Sequence, residues 1–169
     1  MRFGHISWEK GVAGSRIRAW HRYALLALRL MVEVEGEGAL PPLPHDGANL
    51  VAFMSFAVSR GFGAQHPLIA LADRLHDTHG LSLGPLTTFY EAQVEDAEDA
   101  TKLELAWQDL ALLEGSVAAM AAALASDPQC QALARRAGAE GLSEESVALR
   151  EALAPFVQPA LRVRLSYSL

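Results

Sequence analysis

The sequence predicts an all-α fold: a single domain, residues 1–169, with about six helices gathered around one apolar helix at residues 15–35. Three observations carry this expectation. Residues 19–34 hold twelve apolar side chains in sixteen positions, and a helix apolar on nearly all sides is covered by neighbours. Within the same helix Ile17, Trp20, Ala24, Ala27, Met31 and Val34 recur at the three-and-four spacing of a helix seam. Downstream, Pro and capping residues at starts, with Gly at ends, punctuate the chain at helix-length intervals.

Gly4, Gly11 and Gly14 break the first fourteen residues, where segment 2–8 is a candidate extended stretch. Ser15 is placed to cap the central helix, and Gly36 and Gly38 to end it. Pro41, Pro42 and Pro44 make residues 38–45 a stiff connector. Asp46 caps a second helix over 47–60, whose Leu50, Phe53, Met54, Ala57 and Val58 form an apolar face. His66-Pro67 opens a third helix that Gly80 closes, with Leu68, Leu71, Ala72 and Leu75 inward.

Gly84-Pro85 starts a fourth helix through Thr87, Phe89, Tyr90 and Val94. A heptad frame then runs through Phe89, Asp96, Leu103, Leu110, Val117 and Leu124, with Ala92, Asp99, Ala106, Leu113 and Met120 at the second seam position. Asp96 and Asp99 spoil that seam. An unbroken helix over 85–126 would be about 63 Å long, too long for a domain of this size. A break is therefore expected near 96–101, with Thr101 and Glu104 as the capping box of a fresh start. Asp127-Pro128 begins a fifth helix over 128–137, and a sixth runs from Ser143 to the stop at Pro155.

Only the end of the chain reads differently. Leu161, Val163, Leu165, Tyr167 and Leu169 alternate with Arg162, Arg164, Ser166 and Ser168, the period of a half-buried strand. This strand, 161–169, is expected to pair near the N-terminus, around residues 2–8, or with a partner chain.

The net charge of −6 is unevenly spread: residues 81–127 carry −8, while the segments on either side carry +1 each. Such a stretch repels phosphate backbones and attracts basic surfaces, so nucleic acid is not the expected partner. Cys130 is the only cysteine, which excludes an intrachain disulfide and suits the cytoplasm. No signal-like or membrane-spanning run is expected, since His21, Arg22, Arg29 and Glu33 interrupt the most apolar stretch.

No catalytic residue and no cofactor is nominated. Ser55, Ser59 and Cys130 have no histidine nearby in sequence, and Gly61-Phe62-Gly63 lacks the remaining glycine of a dinucleotide loop. His21 reads as a hydrogen-bonded core residue, and Trp8, Trp20 and Trp107 as core anchors. The expected function is a non-catalytic protein-interaction protein (assembly subunit, adaptor or acidic inhibitor) that binds another protein or itself. Its contact residues are Glu91, Glu95, Asp96, Glu98 and Asp99 on the acidic stretch, with Arg162 and Arg164 on the tail. The alternative is a helical-bundle enzyme or sensor for a metal or small ligand, using Asp73, His76 and His79 at one-turn spacing on the third helix.

Overall fold

The computed structural model describes residues 28–63 and 65–169. Within them the fold is mixed α/β, not all-α: six α-helices and a five-stranded sheet. In chain order the elements are β1 (Arg29–Val34), β2 (Gly38–Ala39), α1 (Ala48–Val58), α2 (Pro67–Asp77), β3 (Tyr90–Glu91), α3 (Ala97–Leu105), β4 (Trp107–Asp109), α4 (Leu110–Ser126), α5 (Pro128–Arg136), α6 (Leu142–Leu153) and β5 (Arg162–Ser168).

The first correction concerns the helix expected at 15–35, whose second half is strand β1. Its first half, together with segment 2–8, His21, Trp8 and Trp20, lies outside the described residues. Leu30, Val32 and Val34 are buried while Arg29 and Met31 are exposed, so the working period is two. Met31, assigned to the helix seam, is 36% exposed. Two of the three inward residues are β-branched, which suits a pleated surface. Glycines taken as the helix stop instead make the β1–β2 hairpin, in which Gly36 and Gly38 adopt positive φ.

The strand expected at 161–169 is present as β5, and its partner is β1. Six residue pairs join them antiparallel, from Arg29 opposite Ser168 to Val34 opposite Val163. β5 is central. Its other edge is shared by β4, antiparallel, and β3, which is parallel and only two residues long. One face of the sheet carries Leu30, Val32, Val34, Val163 and Leu165 into the core.

Helices supply the rest of that core: Leu50, Phe53 and Met54 of α1, Leu71 and Leu75 of α2, and Leu142, Leu149 and Leu153 of α6. On α4 the seam positions Leu110, Leu113, Val117, Met120 and Leu124 are all buried, each worth about 2 kcal/mol in area removed from water. Upstream of Ala106 the heptad frame fails. The stretch expected as a fourth helix holds a short 3-10 turn, Pro85–Thr87, and then β3. A new helix does start in the acidic stretch, but Asp96 caps it and not Thr101: its Oδ1 accepts the Asp99 N–H at 3.0 Å. Asp109 caps α4 in the same way through the Leu112 N–H, so β4 separates two capped helices. Among the described residues no single helix is long and apolar enough to cross a membrane.

Candidate functional site

The predicted contact residues fall into two groups. Glu91 closes β3, and Glu95, Asp96, Glu98 and Asp99 follow in the loop and first turn of α3. Glu98 and Asp99 pair with Lys102 at 2.9 and 3.7 Å, and the Asp99 carboxylate also accepts the Glu95 N–H. Glu91, Asp99 and Lys102 share a cleft of about 190 Å³ with Tyr90 and Tyr167, while Glu95 and Glu98 face solvent. Burial, and then the nearby Glu91 charge, push the Tyr167 phenol above its ordinary value.

Helix α3 itself buries none of its residues. Ala106 anchors it at its C-terminal end, where the chain enters β4. Leu105, its last residue, is 66% exposed, and Val94 before it and Leu112 after it are 50% and 66% exposed. Residues 91–105 hold six carboxylates against one lysine.

Arg162 and Arg164 lie on the outer face of the sheet. Arg162 forms a two-point pair with Glu35, whose carboxyl it holds below the ordinary range. Arg164 donates to Glu33 at 2.7 and 2.9 Å and stacks its guanidinium 4.7 Å from the Trp107 ring centre. It also lies 3.7 Å from Glu104, so the last turn of α3 meets the sheet there. The two arginines are thus engaged by their own chain and do not join the 91–99 carboxylates.

No protein-family model, curated protein or solved structure matches the chain.

Of the alternative metal set, the three residues do not converge. Asp73 binds Arg60 at 2.6 Å and lines a groove of about 440 Å³ with Ile69, Leu133 and Arg136. His76 turns to its neighbour Asp77 at the surface. His79 lies beyond the end of α2, past the Thr78 cap and before Gly80 at φ +65°. Helical spacing no longer sets its direction, which is why it leaves the His76 face.

His79 instead meets two residues of the α5 start. Its Nε2 is 2.8 Å from Asp127 Oδ2 and 4.0 Å from Cys130 Sγ, and the thiol lies 3.4 Å from the same Asp127 oxygen. Asp127 is the N-cap of α5: its Oδ1 accepts the Gln129 N–H at 2.9 Å. Arg74 donates to Oδ2 at 2.7 Å. This guanidinium, followed by His79, holds the Asp127 carboxyl well below the usual range. Cys130 is fully buried, and burial together with the Asp127 carboxylate pushes its thiol up to about 11. A protonated, enclosed thiol is no nucleophile. The sequence hint was local: a cap Asp and a Cys three residues later share the first turn of one helix.

One buried carboxylate carries no local signal in the sequence. Glu145 of α6 is fully buried and reaches the first turn of α1, where it accepts the Leu50 N–H at 2.8 Å, the Asn49 N–H at 3.3 Å and the Asn49 side-chain amide at 2.5 Å. It caps a helix whose own preceding residue is Gly47, which has no side chain to do so. The approach is a left-handed turn, His45, Asp46 and Gly47 at φ 51°, 55° and 68°. Its groups are consumed in structure, with His45 on Glu144 at 3.0 Å and Asp46 near Arg29 at 3.7 Å.

Proposed function

We propose that the chain is a non-catalytic interaction protein that offers α3 and its flanks to a basic partner protein. The observation that carries this reading is the absence of any buried residue on α3. An isolated helix of nine residues is marginal in water, and in a folded protein such a segment gains its lasting partner contacts elsewhere. Six carboxylates on residues 91–105 set the sign of the surface sought, and the exposed Val94, Leu105 and Leu112 supply apolar anchors within an acidic rim. Opposite charge steers the encounter, and the apolar side chains give it specificity on contact.

Quantitative affinity capture from the host extract tests this, using the wild-type chain beside a Leu105→Ser, Leu112→Ser variant and a Glu95→Lys, Glu98→Lys variant. A stoichiometric basic partner held by the wild type, released by salt and lost in both variants is the expected outcome. An identical set of captured proteins for all three chains overturns the proposal.

A further inference from the structure

We infer that His79, Asp127 and Cys130 form a binding site for one divalent transition-metal ion of the zinc type. The three donor atoms, an imidazole nitrogen, a carboxylate oxygen and a sulfur, lie within 4.8 Å of one another. Their separations of 2.8, 3.4 and 4.0 Å place a point about 2.0 Å from all three, and zinc bonds to nitrogen and oxygen at about 2.0–2.1 Å and to sulfur at about 2.3 Å. That point lies in the plane of the donors, and a tetrahedral ion asks for about 3.3 Å between nitrogen and oxygen and about 3.5 Å from either to sulfur, so the exposed His79 ring swings by about half an ångström, away from Asp127 and towards Cys130. Nitrogen and sulfur donors exclude the hard, oxygen-seeking calcium and magnesium ions.

The surroundings are built to hold this triangle. Asp127 is fixed through Oδ1 by the Gln129 N–H and through Oδ2 by Arg74, which keeps its hydrogen bond to the oxygen from outside the metal's shell. Cys130 is held by the first turn of α5. His79 is the side open to water, with its side chain 27% exposed, so ion and fourth ligand both arrive from that side. On binding, the thiol proton leaves to solvent as the sulfur–metal bond forms. The ion's two positive charges meet one thiolate and one carboxylate, and Arg74 leaves the cluster singly positive. The ion clips the end of α2 to the start of α5.

Cobalt(II) and zinc titrations of metal-stripped chain test the inference, with folding of every variant checked by far-UV circular dichroism. The wild type should take up one cobalt ion, show a thiolate-to-cobalt charge-transfer band and melt at higher temperature with zinc. Cys130→Ser should lose the band, and His79→Gln should weaken binding by at least about tenfold, whereas His76→Gln, on the exposed end of α2, should match the wild type. If Cys130→Ser does not fold, the partly exposed His79→Gln decides alone. A folded wild type that takes up no metal, or His79→Gln that binds as tightly as the wild type, overturns the site.

Discussion

Glu145 Oε2 accepts the Leu50 N–H at 2.8 Å across a separation of 95 residues, so α6 caps α1 in trans. The carboxylate serves three donors at once: the buried Leu50 N–H and the half-buried Asn49 N–H and side-chain amide. Glu145→Ala should therefore cost about 1–3 kcal/mol of unfolding free energy, the penalty for leaving the buried Leu50 N–H unmet. Urea denaturation checks this, and a change under about 0.5 kcal/mol, the size of an ordinary surface substitution, contradicts it.

The same residue sets a pH dependence of unusual sign. Burial outweighs the three hydrogen bonds and raises the Glu145 carboxyl above its ordinary 4.5. The folded state then binds the proton more readily than the unfolded chain, so the contribution is complete below the unfolded value and is lost as pH rises through the folded one. Urea midpoints measured from pH 4 towards neutrality should show the wild type losing ground against Glu145→Gln, which cannot titrate. A wild type that gains on the variant over that range refutes the assignment.

Two glycines separate conformational cost from close approach. Gly47 at φ +68° has Leu30 Cβ 2.7 Å from where its own Cβ would stand, whereas Gly61 at φ +82° faces open space. Gly61→Ala should cost about 1 kcal/mol for the left-handed backbone, and Gly47→Ala about 3 kcal/mol because β1 must also move. Equal midpoints for the two variants would show that β1 does not press on the turn.

Alternation along β1 makes neighbouring residues unequal. Val32, which is 5% exposed, should cost about 1–3 kcal/mol when cut to Ala, while Met31→Thr on the outer face should stay within about 0.5 kcal/mol. A helix across this segment would reverse the order, since Met31 lies on the helix seam and Val32 does not. Thermal melts of the two variants distinguish the arrangements.

Local signals carried the helices well, because caps and seams act within a few residues. The Asp127-Pro128 start of α5, the Pro67 start of α2 and the buried seam of α4 are all visible in the sequence. Strand β1 was not, because Leu30, Met31 and Val32 are three apolar residues in a row that continue a run suiting a helix equally, and the alternation exists only in their burial. What decides is pairing with β5, more than a hundred residues away: the Glu33–Arg164 and Glu35–Arg162 ion pairs lie across or beside that ladder. The site shows the same divide. Helical spacing groups His79 with Asp73 and His76, but the chain's exit from α2 turns it away from them, while Asp127 and Cys130 reach it through the packing of α2 on α5.

Hydrogen exchange along α3 tests the central claim most directly, measured on the isolated chain and on the chain with its captured partner. With no buried side chain to hold the helix, its amides should exchange far faster than those of α4 in the isolated chain and slow at least about tenfold in the complex, α4 staying unchanged. Protection of α3 equal to that of α4 in the isolated chain, or no slowing in the complex, would contradict the account.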